Sequence, residues 1–250
     1  MDRNVEVLPN PETLIQRSLS LVLEHLTEAI DQRGQATIAL AGGSTPKPLY
    51  EALATHSLPW EKIHVFWGDE RYVPADHPDS NQGMARLAWL DRVEFPAANL
   101  HPILTTASDP EEAARQHEVE VRTFFQNQGN AIPVFDVILL GIGDDGHTAS
   151  LFPKTQALQV ELNATAPQET RLITVGNKDG QPRITFTAPL INQARCVIFI
   201  VAGASKQSAL SHIFAPVDDA TVYPARLIQP QGKLWWLLDS SAGQNLVTSA

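Results

Sequence analysis

A chain of 250 residues that is 43% apolar and only 18% charged can bury a large core, which excludes long disordered tracts. Its formal net charge of −10 argues against a nucleic-acid partner, since phosphate backbones demand basic stripes, but leaves room for a small anion held by a few local cations. The single cysteine, Cys196, excludes an internal disulfide and suits a reducing compartment; with no apolar signal core in the first residues and no apolar run of bilayer length, a cytoplasmic protein away from membranes is expected.

In chain order, Asn10-Pro11-Glu12 reads as a helix start, with Asn as cap and Pro in the first turn. Leu14, Leu21, Val22 and Leu26 continue at helical spacing and Gly34 closes the run. Before Ala36 this helix is the only element the pattern signals. Ala36 to Ala41 is an apolar run of strand length; Gly42-Gly43-Ser44-Thr45 turns the chain and Pro46 opens a helix carrying Leu49, Tyr50 and Leu53. Ile63 to Trp67 is a strand that runs into Gly68-Asp69-Glu70-Arg71. Asp109-Pro110-Glu111-Glu112 announces a long helix, with acids at the positive end of its dipole. Val134 to Leu140 is a further strand, ending in Gly141-Ile142-Gly143-Asp144-Asp145-Gly146-His147. Leu172 to Val175 is a shorter one. Cys196 to Val201 is nearly continuous in apolar residues and leads into Ala202-Gly203-Ala204-Ser205-Lys206 and a helix. Leu234 to Leu238 closes the series.

Runs without polar alternation are what strands look like when helices cover both faces. The alternation of strand and helix signals predicts an α/β fold: an open, mainly parallel sheet with helices on both faces, in a single domain over residues 1–250. Four polar, glycine-containing turns each follow an apolar strand, and in such a sheet the ligand cleft lies beyond the carboxyl ends of the strands. The four turns are therefore expected to meet.

Each turn has a chemistry and a plainer alternative. Gly42, Gly43, Ser44 and Thr45 suit an oxyanion cradle, or an ordinary capped turn. The P-loop pattern is absent, so nucleotide hydrolysis has no support. Lys206 offers a point charge for a phosphate, and Arg71 and Arg183 offer guanidinium clamps. Each could equally be a surface cation, with Arg71 paired to Asp69 or Glu70. Gly141 to Gly146 formally matches the dinucleotide fingerprint, but Asp144 and Asp145 would repel a pyrophosphate and Pro153 arrives before a helix can form. The turn looks built instead to present Asp145 and His147, with His147 a candidate general base. A metal site from Asp144, Asp145, His147 and His77 lacks a compact ligand motif, and no G-x-S-x-G elbow supports a serine nucleophile.

Taken together, Leu40 to Pro46, Trp67 to Arg71, Ser80-Asn81, Gly141 to Pro153, Arg183-Ile184-Thr185 and Gly203 to Lys206 resemble the 6-phosphogluconolactonase family over nearly the whole chain. The resemblance implies a Rossmann-like fold and hydrolysis of a small-molecule sugar phosphate lactone, 6-phospho-D-glucono-1,5-lactone, in the oxidative pentose phosphate pathway, with no required cofactor and no metal. In that light His147, Asp145 and Arg71 are the catalytic candidates, and Gly42, Gly43, Ser44, Thr45, Asp69, Arg183 and Lys206 the substrate-binding ones. The sister glucosamine-6-phosphate deaminase/isomerases carry Asp-Glu-Tyr where this chain has Asp69-Glu70-Arg71. They also place a glutamate five residues after the histidine, where this chain has Phe152. A non-catalytic sugar-phosphate sensor is the remaining alternative, without the added DNA-binding segment such sensors carry.

Overall fold

The computed structural model describes residues 3–247 except 162 and 164. The chain runs through β1 (Arg3–Leu8), α1 (Pro11–Arg33), β2 (Ala36–Leu40), α2 (Lys47–Leu53), β3 (Ile63–Trp67), β4 (Asp69–Arg71), α3 (Asn81–Ala88), β5 (Leu100–His101) and α4 (Pro110–Gln126). It continues through β6 (Val137–Leu140), β7 (Ile173–Lys178), β8 (Gln181–Phe186), α5 (Ala188–Ile191), β9 (Cys196–Val201), α6 (Gln207–Phe214), β10 (Lys233–Asp239) and α7 (Ser240–Val247). The helix starts are fixed by side chains that accept otherwise orphaned N–H groups: Asn10 from Thr13, Ser80 from Gly83 and Asp109 from Glu112.

Seven parallel strands form the main sheet in the order β1-β10-β9-β6-β2-β3-β5. Every residue of β2, β6 and β9 is buried, so both faces of the sheet are covered, as unalternating apolar strands require. Phe199 and Trp236 stack across β9 and β10 with ring centroids 3.8 Å apart. The strand order reverses between β2 and β6, which makes their junction the topological switch point. That junction has a short ladder, Ile38 facing Val137 and Ala39 facing Ile138.

Three expectations need correction. The segment before the first helix is not free of strand: β1 pairs in parallel with β10 along its whole length. Leu172–Val175 does not belong to the parallel sheet; β7 forms a separate antiparallel sheet with β8 and β4. The β7–β8 hairpin closes on Asp179 and Gly180, both with positive φ (53° and 82°), the backbone that matches strand twist in a two-residue turn. Val134–Leu140 becomes strand only at Val137, because Asp136 replaces the ladder with its side chain. Its carboxylate accepts from the Thr37 N–H at 2.8 Å and the Thr37 hydroxyl at 2.9 Å, while that hydroxyl accepts from the Asp136 N–H at 3.0 Å.

Candidate active site

Beyond the carboxyl ends of β2, β3, β6 and β9 lies a cavity of about 250 Å³, walled by Gly42 to Pro46, by Gly68, Asp69 and Arg71, by Gly141, Ile142 and His147, and by Ala202 and Lys206. The four turns do meet. Gly43 and Ser44 are exposed, Gly42 and Thr45 are half-buried, and Pro46 is buried beneath them.

His147 is held by its own turn. The Gly143 N–H donates to the His147 carbonyl at 2.8 Å, and a Cβ at Gly143 would fall 2.0 Å from His147 Nδ1, so only glycine lets the ring lie back on this turn. His147 Nδ1 is 2.5 Å from Asp145 Oδ1, and the His147 N–H donates to the same oxygen at 3.1 Å. The hydrogen bond from His147, assisted by the charge of Lys178, outweighs desolvation and holds the Asp145 carboxyl at about 2. The other face of the imidazole meets Phe152, ring centroids 4.7 Å apart.

The neighbouring acids of β4 go to opposite places because successive strand side chains alternate. Asp69 lines the cavity, but its oxygens are already engaged, by the Ser150 hydroxyl at 2.6 Å and the Asn81 amide at 3.4 Å. Glu70 turns to the start of α3 and accepts from the N–H groups of Arg71, Asn81 and Gln82 and from the Ser80 hydroxyl, at 2.7–3.1 Å. Burial pushes its carboxyl up while those donors pull it down; burial is the larger effect. Glu70 thus fixes α3 rather than meeting a ligand. Arg71 is paired with neither acid: its Nη1 donates to the Asp79 carbonyl at 2.6 Å and its Nε is buried without a partner. Arg183 faces Arg71 directly across the β4–β8 ladder, so both guanidiniums leave the same side of this sheet. Arg183 Nε is likewise buried and unbonded; desolvation, then the Arg71 charge, lowers its pKa. Arg71 lines the cavity and Arg183, its cross-strand neighbour, does not.

Lys206 reaches the wall from the turn after β9, with its Nζ 2.6 Å from Asp144 Oδ1; the Ser205 hydroxyl donates to the same oxygen at 3.0 Å. Asp144 and Asp145 therefore serve different partners, and among the described residues no group of three His, Cys, Asp or Glu side chains could hold a metal ion. The parts that sequence reasoning passed over are supporting ones. Ser150 and Asn81 hold Asp69, and Glu70 docks α3. The alternation of an acid pair on a strand was the available signal for Glu70; none marked the other two contacts, which span 81 and 12 residues.

The model of the family described as glucosamine-6-phosphate isomerases/6-phosphogluconolactonase matches residues 9–236. The chain belongs to this family. A 6-phosphogluconolactonase of Synechocystis sp. is 65% identical over 246 residues, covering 98% of this chain and 99% of the relative; one of Nostoc sp. is 59% identical over the same length. Among solved structures, the 6-phosphogluconolactonase of Trypanosoma brucei superposes with a TM-score of 0.82 at 31% identity, covering 98% of this chain and 99% of that one. The family match spans all four cavity turns, including the His147 turn and Lys206. Among the described residues no helix is long and apolar enough to cross a membrane.

Proposed function

We propose that this chain hydrolyses 6-phospho-D-glucono-1,5-lactone to 6-phospho-D-gluconate, a cytoplasmic step of the oxidative pentose phosphate pathway. The observation that carries the reading is the Asp145–His147 pair on a cavity whose opposite walls hold Arg71 and Lys206. With Nδ1 donating to the Asp145 carboxylate, the imidazole keeps its basic lone pair at Nε2. That nitrogen takes a proton from a water as the water oxygen bonds to C1 of the lactone, giving a tetrahedral oxyanion. Collapse breaks the bond from C1 to the ring oxygen, and the imidazolium returns its proton to that oxygen. Asp145 orients the ring and stabilises its cationic form in between.

Arg71 and the N–H groups of the glycine turns stabilise the oxyanion, with Arg183 beside Arg71 across the ladder raising the positive potential. Gly42, Gly43, Ser44, Thr45 and Lys206 grip the phosphate and hold C1 before the imidazole, and Asp69 shapes the wall between them. The deaminase alternative needs several staged acid–base groups, and Phe152, packed on His147, cannot move a proton.

A paired assay tests the reading. Freshly generated 6-phosphogluconolactone is expected to disappear faster than its spontaneous hydrolysis, with and without a chelator, while glucosamine 6-phosphate releases no ammonia. Ammonia release without lactone hydrolysis would overturn the assignment. Loss of lactonase activity on chelation would assign a metal to the Asp145–His147 turn.

A further inference from the structure

Lys206 has a partner of its own within the chain. Its ammonium is held by Asp144 at 2.6 Å, and no other side chain but Ser205 bonds this carboxylate among the described residues. The pair is lopsided: the Asp144 side chain is 64% exposed and that of Lys206 only 22%. Asp144 can therefore swing into water at little cost, whereas Lys206 stays on the cavity wall. An anion that takes Lys206 must either displace this carboxylate or lie beside it, and two like charges a few ångströms apart repel.

From this geometry we infer that Asp144 is a specificity-determining counter-ion, which occupies Lys206 in the empty site and yields it to a phosphate dianion in preference to weaker anions. The inference rests on the reading above that Lys206 grips the phosphate. A standing carboxylate at the phosphate end weakens substrate, transition state and product alike. Such uniform weakening raises KM without lowering kcat, and it shortens the stay of a product that carries a phosphate of its own.

Asp144→Asn isolates the charge, because an asparagine oxygen still accepts from Ser205 and the exposed turn keeps its shape. Calorimetric titration of the full chain with 6-phosphogluconate and with inorganic phosphate is expected to show about three- to tenfold tighter binding in this variant. The KM for the lactone should fall in step and kcat should not rise. Asp144→Glu should restore the weaker affinity, and hydrolysis of unphosphorylated gluconolactone should not respond. In a Lys206→Ala background, Asp144→Asn should change nothing, a coupling that a purely structural role would not produce. If Lys206→Ala weakens phosphate binding but Asp144→Asn leaves it unchanged or weaker, the counter-ion role is overturned and the phosphate site stands. If Lys206→Ala leaves 6-phosphogluconate affinity unchanged, the phosphate assignment falls and the counter-ion role falls with it.

Discussion

The two ends of the β2–β6 junction use the same kind of group for opposite purposes. At the amino end Asp136, buried, accepts from the Thr37 N–H and hydroxyl and from Arg33 at 2.8 Å, and it forms an ion pair with Arg195 at 3.3 Å. Both of its oxygens are engaged, and the two strands are fastened there. At the carboxyl end Asp145 spends one oxygen on His147 and is 46% exposed, while the Arg71 and Arg183 Nε atoms have no partner at all. A buried carboxylate with both oxygens engaged is a structural clamp. One with an oxygen left over and a half-exposed side chain is not. Counting unmade bonds, rather than counting charges, separates the two ends.

Substitutions can break or sharpen that contrast. His147→Ala is expected to lower kcat by about 10²–10⁴ while leaving 6-phosphogluconate affinity nearly intact. Turnover near normal in a folded variant would remove histidine from the mechanism and the contrast with it. Asp136→Ala should act on stability instead, by about 2–3 kcal/mol, because it strands the Thr37 N–H and unpairs two guanidiniums. The urea midpoint should fall while kcat per folded molecule holds; the reverse pattern would make the amino end functional. Lys206→Ala is expected to weaken 6-phosphogluconate binding by about 1.5 kcal/mol, roughly tenfold, the low end for a charged hydrogen bond because Asp144 already competes for the ammonium. Unchanged calorimetric affinity would place the phosphate elsewhere.

The smallest effect concerns pH. The Asp145 carboxyl is held at about 2 in the fold against an ordinary 3.8, so the folded state favours its ionised form. The resulting stabilisation is whole above about pH 5, fades as the pH falls and is gone below about pH 2. Solvent screening of this half-exposed group keeps it under about 1 kcal/mol. The stability gap between the wild-type chain and Asp145→Asn should therefore narrow from about pH 7 to about pH 3; a gap that stays constant over this range would mean that the fold does not favour the ionised carboxyl.

What could be read from the sequence was whatever is local. The four turns announce themselves because each interrupts an apolar run with glycine and polar residues, and sheet topology then obliges them to meet. The bounds of β9 follow from its composition alone, since Cys196 to Val201 is apolar throughout. The antiparallel sheet was missed although Asp179-Gly180 is a hairpin signal, because β7 offers only a few apolar residues before it turns polar at Asn177. β1 was missed because it is short and lies at the sheet edge, where none of its residues is fully buried. The Ser150–Asp69 and Asp144–Lys206 contacts span 81 and 62 residues, and no local spacing encodes such distances.

The brevity of the β2–β6 ladder has a further thermodynamic consequence. Only Ile38–Val137 and Ala39–Ile138 pair across it, and beyond them the two halves of the sheet diverge to make the cavity. A ligand seated there would lie between Gly42 to Thr45 on one half and Gly141, Ile142 and His147 on the other, acting as a removable rung of the sheet. Amide hydrogens at the carboxyl ends of β2 and β6 should thus exchange more slowly when product is bound, while those beside Asp136 stay as they were. Any ligand that prefers the folded chain stabilises it by mass action, about 2.7 kcal/mol at a hundredfold excess over Kd. Here that gain would be felt along the seam between the two halves of the sheet, so metabolite level and mechanical cohesion become one variable.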